Sequence, residues 1–331
     1  MAERDFDVCG LGNAIVDIFL EVSDAEFGEL GFERGSSRLV EAAEQKAVLE
    51  RFADRDPRLV SGGSVANSII ALSQLGGAGA FIGCVGDDRY GLFYKTEFDE
   101  LDIEFGSPVV GATTGTCLVL ITPDAERTMR TCLAVSSHVG ARHVDEGRLK
   151  DSDWLFIEGY LFGNPQAGHG AIREALRLAA RHDVRVAVTC SDIFVPTVFG
   201  ELFRETLQQT ELLFCNTAEA CAVTGATTAE AAFAGLKGMV PSCVVTHGAG
   251  GAYVRHGDVE AHVRAFPCEP KDLTGAGDMF AGAFLYGITH DVAPDRAARA
   301  ACYLAMKVIT QVGARLHHGT RNHWDEVLMT G

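Results

Sequence analysis

Six short apolar segments, FDVCGLG, AFIGCVG, WLFIEGY, VRVAVTC, ELLFCN and CVVTHG, are spread along the 331-residue chain. Each has the length of a strand, several are rich in Val, Ile or Phe, and none alternates regularly with polar residues, as strands buried on both faces do not. Between them lie stretches of helical length or spacing: Glu41 to Asp54, Gly168 to His182, Thr217 to Thr224, the segment after Gly275, and Pro294 to Gln311. Strands and helices in this alternating order bury both faces of every strand when the sheet is mainly parallel and helices cover it. The expected class is therefore α/β.

Two regions break the rhythm. Ile15 to Val22 reads as an extra strand, and Gly115 to Thr122 with Arg127 to Leu133 flank a PDAE turn in the manner of a hairpin. Together they predict a small β lid from segments near 13–24 and 106–133, beside the main sheet. No internal repeat, low-complexity tract or Pro/Ser-rich linker divides the chain, so residues 1–331 are expected to form one domain carrying that lid.

Composition narrows the function. Hydrophobic residues make up 47% and charged residues 22%, an ordinary globular balance. With a formal net charge of −17 and no basic cluster interleaved with aromatics, a general nucleic-acid surface is disfavoured. The acidic start, MAERDFDVCGLG, lacks the basic flank and apolar core of a signal peptide, and no apolar run approaches membrane-spanning length. Ten cysteines are scattered without a CxxC pair or zinc spacing, which suits reduced thiols in a cytoplasmic protein. A small anionic ligand is still allowed, because backbone amides reverse the field locally.

The glycine motifs differ in what they can hold. CGLGNAIVD begins a GxGxxG pattern, but Ile15 stands where the last glycine of a dinucleotide fold belongs, and the segment continues like a strand. A hydride-transfer reading is weak on those grounds, and a P-loop is absent. SGGSVANSIIALSQLGG is a glycine turn feeding a helix whose buried face carries Val65, Ile69 and Leu72. Ser64 there is a helix cap on the plain reading, whereas Asn67 in the first turn is placed to reach a ligand over Gly62 and Gly63. In LLFCNTAEACAVTG, Asn216 and Glu219 share one helical face; they read equally as a capping pair or as holders of a hydrated magnesium ion.

KDLTGAGDMFAGAF carries the strongest signal. Gly275, Ala276 and Gly277 leave amides uncovered at a helix start, where the peptide dipoles favour an anion, and Asp278 lies in the first turn. The plain reading is a carboxylate complementing the helix dipole, worth about 0.3 to 1 kcal/mol at an exposed site. The functional reading is a general base beside a phosphate seat, which is what phosphoryl transfer to an alcohol needs, together with magnesium on the nucleotide.

These motifs resemble the PfkB, or ribokinase-like, family of carbohydrate and nucleoside kinases, nearly end to end. DLTGAGD resembles the family signature commonly written DTTGAGD, with Leu273 in place of the first Thr. The resemblance implies a three-layer α/β/α fold with a mainly parallel central sheet and a small β lid. It implies an anion hole at Gly275, Ala276 and Gly277, a catalytic base at Asp278, and substrate hydroxyls at Gly62, Gly63 and Asn67. NTAE resembles the NxxE motif, implicating Asn216 and Glu219 in the magnesium and phosphate network. VVTHGAGGAYV resembles the nucleotide-binding strand and turn, which implies Thr246, Gly248 and Gly251 near ATP. Asp272 and the Thr274 carbonyl are the implied contributors to a potassium site.

Within the family, GNAIVDI followed by GGSVANSI is most similar to adenosine kinases and their bacterial relatives, with Asn13 and Asp17 on the ribose side and Arg127 as a lid arginine steadying phosphate. TMRTCL and FIEGYLFG resemble the bacterial adenosine-kinase-like group. Ile15, Phe19, Tyr160 and Phe162 are candidates for a slot around a nucleoside base, though each reads as readily as core. The expected function is ATP-dependent phosphorylation of a primary hydroxyl, most favourably on adenosine. The alternatives are a sugar kinase acting on ribose, fructose or ketodeoxygluconate, and a non-catalytic sugar- or nucleoside-binding regulator. A monomer and a homodimer are both compatible with the motifs.

Overall fold

The computed structural model describes residues 4–106, 109, 111–124 and 126–329. Strands, numbered along the chain, fall into two sheets. The larger contains β1 (Phe6–Leu11), β5 (Gly79–Ile82), β6 (Glu104–Phe105), β9 (Ser152–Glu158), β10 (Arg185–Thr189), β11 (Leu212–Asn216), β12 (Ser242–Thr246), β13 (Ala252–His256) and β14 (Val259–Val263). Their order is β14-β13-β12-β11-β10-β9-β1-β5-β6, parallel throughout except for antiparallel β13 and β14 at one edge. All six apolar segments are strands of this sheet. Alternate residues feed two cores: Val8, Trp154 and Phe156 pack on one face, and Cys9, Leu155 and Ile157 on the other. Three layers result.

The smaller sheet is the lid. It contains β2 (Ile15–Glu21), β3 (Ser37–Leu39), β4 (Arg58–Gly62), β7 (Gly115–Ile121) and β8 (Arg127–Cys132), in the order β3-β8-β7-β2-β4. β7 and β8 pair antiparallel as the expected hairpin; Ala125 of the PDAE segment, with Ser107, Pro108 and Val110 of the expected 106–133 segment, lies outside the described residues. β3 and β4 extend the lid beyond the two expected segments. Val16, Ile18 and Leu20 face a core shared with Phe27 and Val48 from the helices Asp24–Leu30 and Ala42–Arg51. Ile15 and Phe19 point the other way and cluster with Cys117 and Val119. Asp17, between them in the alternation, shares their face.

Parallel pairing brings the carboxyl ends of strands to one edge of the sheet, the usual place for a ligand crevice in this architecture. β1 runs into Gly12 and Asn13 there, β9 ends at Glu158, β11 at Asn216 and β12 at Thr246. The lid begins two residues after Asn13, so it rises directly from that edge.

Candidate active site

Two helices start at the crevice and converge on one carboxylate. The helix Ala276–Thr289 opens after Gly275, whose left-handed φ of 77° closes the turn; a Cβ there would lie 2.2 Å from the Ala314 carbonyl oxygen. The helix Ser64–Gln74 opens after Gly63, with φ 110°, where a Cβ would lie 2.0 Å from the Asn13 carbonyl oxygen. Asp278, in the first turn of the former helix, accepts from Ser64 Oγ at 2.7 Å and from Asn67 Nδ2 at 2.9 Å. Ser64 is therefore not the helix cap that its sequence position suggested; its hydroxyl spans to the second helix. Burial pushes the Asp278 carboxyl up to about 6, although both donors pull it down. Asn67 Oδ1 is buried and has no hydrogen-bond partner among the described residues, an acceptor open to a hydroxyl.

On the lid side of Asp278, Asp17 has an oxygen placed where a Cβ on Gly62 would come within 2.9 Å, so the carboxylate lies over the double glycine. Burial pushes Asp17 up to about 7, against the opposing fields of Arg315 and Arg127. Asn13 is held from two sides: Nδ2 donates to Glu158 Oε1 at 2.6 Å, and Oδ1 accepts from Ser136 Oγ at 3.1 Å. Glu158 also accepts from the Val65 amide at 3.2 Å, and its burial pushes it up to about 7. In the sequence Glu158 reads as a strand end and as part of FIEGYLFG, with no site role of its own. The available signal was a carboxylate ending an otherwise apolar run, WLFIE.

Of the four residues offered for a base slot, Ile15 and Phe19 lie on the lid face beside Asp17. Tyr160 is 43% exposed and its ring is 6.3 Å from that of Phe194. Phe162 is a correction: it is fully buried, edge-on to Phe203 in the second core, because the turn after β9 directs it inward.

On the opposite side of the anion loop is a cavity of about 540 Å³. Thr246, Gly248 and Gly251 line it with Ala276 and Gly277, so the expected nucleotide and anion residues meet at one space. Phe266, Phe280, Met306 and Ile309 supply apolar walls suited to an aromatic base. The last two walls come from a helix, Pro294–Ile309, whose apolar positions read from sequence simply as core. Asn216 and Glu219 form a complete reciprocal cap: Asn216 Oδ1 accepts from the Glu219 amide, and the Glu219 carboxylate accepts from both the backbone and side-chain nitrogens of Asn216. Burial raises the Glu219 carboxyl. Among the described residues no cluster of three or more His, Cys, Asp or Glu side chains is arranged to hold a metal ion.

Arg127, Asp272 and Thr274 form one connected group. Arg127 Nη1 pairs with Asp272 Oδ2 at 2.6 Å and donates to Thr274 Oγ1 at 3.3 Å. Asp272 Oδ1 accepts from the Thr274 amide and hydroxyl, and Oδ2 accepts from the Gly313 amide at 2.7 Å. Burial alone would raise Asp272, but these donors and Arg127 hold it below the usual carboxylate range. The carboxylate offered for potassium thus has an arginine as its cation.

A carboxylate held at a helix start, with a cavity of about 540 Å³ beside that start and Asp17, Asn13 and Asn67 on its lid side, is an arrangement that phosphoryl transfer to a small molecule can use. A model of the pfkB family of carbohydrate kinases matches residues 41–319, and the chain belongs to that family. Its fold is ribokinase-like. A probable sugar kinase from Rhizobium etli CFN 42 superposes with a TM-score of 0.87 at 27% identity, with 98% of each chain covered. The adenosine kinase of Sinorhizobium meliloti superposes with a TM-score of 0.86 at 29% identity, covering 97% of this chain and 99% of that one. The ribokinase of Haemophilus influenzae is 25% identical over 289 residues, 84% of this chain and 90% of its own. Similarity therefore extends to sugar and nucleoside kinases alike. Among the described residues, no helix is long and apolar enough to cross a membrane.

Proposed function

We propose that this kinase transfers the γ-phosphoryl group of ATP to the primary hydroxyl of a ribose-containing acceptor, with adenosine preferred and AMP as product. The carrying observation is the position of Asp278, bonded to Ser64 and Asn67 on its acceptor side and lying in the first turn of the helix whose first residues, Ala276 and Gly277, line the cavity of about 540 Å³. The acceptor hydroxyl gives its proton to Asp278, while the uncovered amides at the helix start stabilise charge spreading over the phosphoryl oxygens. Asp17 and the free Asn67 Oδ1 supply acceptors for the ribose hydroxyls, with Gly63 allowing close approach. Asn13 lines this side, held in place by Glu158.

Thr246, Gly248 and Gly251 would border the nucleotide, and Phe266 and Met306 its base. Magnesium on the triphosphate would supply charge neutralisation, and Asn216 and Glu219 would help to hold it. The lid excludes water from the acceptor pocket, which limits idle hydrolysis of ATP.

Adenosine is favoured by the apolar cluster of Ile15, Phe19, Cys117 and Val119 on the face that Asp17 shares, since a nucleoside base needs an apolar neighbour and a free pentose does not. Likeness to the Sinorhizobium meliloti adenosine kinase supports the same choice, and likeness to the Haemophilus influenzae ribokinase supports a free sugar as the second reading. ATP consumption measured against adenosine, inosine, guanosine, ribose, fructose and ketodeoxygluconate separates them. Preferential turnover of a free sugar overturns the nucleoside assignment and leaves the kinase intact.

A further inference from the structure

We propose that Asp272 is a positioning residue: it holds the guanidinium of Arg127 against the anion loop so that the lid is latched to the loop before any ligand binds, leaving one arginine nitrogen for a phosphoryl oxygen. The proposal rests on the phosphoryl-transfer reading given above.

The latch joins two parts of the fold that the sequence separates widely. Arg127 is the first residue of β8 in the lid, and Asp272 precedes the turn at Gly275. Their side chains are only 14% and 7% exposed, so the 2.6 Å pair is shielded from water. A shielded pair is favourable only when its remaining hydrogen-bonding capacity is met, and removal of one partner strands a buried charge. For Asp272 that capacity is met by Gly313 and Thr274. The carboxylate is fixed to the loop by these bonds and offers Arg127 a rigid seat.

Arg127 is less completely satisfied. Nη1 serves Asp272 and Thr274, whereas Nη2 is buried with no partner among the described residues. Burying a guanidinium donor without an acceptor is costly. The plane of the group is further restrained by the Phe19 ring, 5.7 Å from the guanidinium carbon, which also carries Arg58 at 4.3 Å. A planar fork with one nitrogen engaged by a carboxylate and another without a partner among the described residues, held at the Asp272 and Thr274 end of the anion loop, is suited to a phosphate oxygen. The nucleotide phosphoryl group would thereby satisfy Nη2, and its arrival would tighten a lid already held by Asp272.

Two measurements test this. Hydrogen exchange of β7 and β8 is compared in the ligand-free wild type, Asp272→Asn, Arg127→Gln and the double variant, and kcat and the KM for ATP are measured on the same proteins. We expect Asp272→Asn to accelerate exchange in the lid strands and lower kcat by roughly 10- to 100-fold, with no further loss when it is added to Arg127→Gln. Equal lid exchange in wild type and Asp272→Asn, or losses that multiply in the double variant, overturns the latch. Arg127→Lys retains a cation for Asp272 without a second nitrogen; lid exchange within about twofold of wild type and kcat reduced about tenfold are expected. Wild-type kcat in Arg127→Lys overturns the role of Nη2. Because exchange is read without substrates, the latch is assessed even if no acceptor in the panel is phosphorylated.

Discussion

Ser64 Oγ donates to Asp278 Oδ1 at 2.7 Å, which ties the helix start at the double glycine to the helix start at the anion loop. The bond favours the ionised carboxylate and offsets part of the burial that raises Asp278 to about 6. A base must be ionised to accept a proton, so kcat/KM should rise with pH through that value. Ser64→Ala removes a charge-assisted bond of roughly 1.5 to 3 kcal/mol, and the acid limb of the profile should move up by about one to two pH units. An unmoved limb means that the observed ionisation belongs to another group.

Asp278→Asn preserves the shape of the side chain and removes the proton acceptor. We expect kcat to fall by about 10² to 10⁴, the usual range for a general base, with a smaller change in the KM for ATP. Steady-state kinetics on the best acceptor checks this. Near-normal turnover would assign the base to a different residue.

Asp17 links the acceptor pocket to stability. Its carboxyl is raised from 3.8 to about 7, chiefly by burial, so the folded chain holds that proton more tightly than the unfolded chain. The stabilisation is complete below pH 4 and is lost as pH rises towards and through 7. Asp17→Asn removes this loss and replaces the carboxylate proposed for the sugar hydroxyls with a neutral amide. Urea unfolding of the ligand-free proteins should show the variant's advantage growing by about 1 to 2 kcal/mol between pH 5.5 and pH 8. A pH-independent difference would show that Asp17 ionises normally. Glu158, raised in the same direction, is present in both proteins and cancels from the comparison.

The main sheet was legible because strands buried on both faces admit few polar residues, and all six such runs became strands. β4 was not, since RLVSG is short, follows Pro57 and lies at the lid edge, where its outer residues are polar. β3 consists of three exposed residues and carries no burial pattern. In the candidate site, Asp278 was conspicuous as an acid after small residues. Glu158 and Arg315 were hidden because their meaning depends on partners far along the chain: Glu158 on Asn13, and Arg315 on the Ser61 carbonyl and Glu97. Phe162 failed for a related reason, as an aromatic residue near a strand end can turn into the core or into the crevice, and only packing against Phe203 decides it.

The two glycines of the anion loop should respond oppositely to the same methyl group. Gly275→Ala meets the Ala314 carbonyl at 2.2 Å and places alanine at a φ of 77°, so it should destabilise the fold by about 1 to 3 kcal/mol or more. Gly277→Ala meets nothing within 4 Å, and alanine is the better helix former by roughly 1 kcal/mol. Its melting temperature should be unchanged or higher. Yet Gly277 lines the cavity proposed for the nucleotide, and on that proposal a methyl there would stand where the phosphoryl oxygens bind. The variant should therefore lose about tenfold or more in kcat/KM for ATP while remaining fully folded. Thermal unfolding and kinetics on the same preparation separate the effects, and wild-type kinetics in Gly277→Ala would remove the phosphate from this helix start.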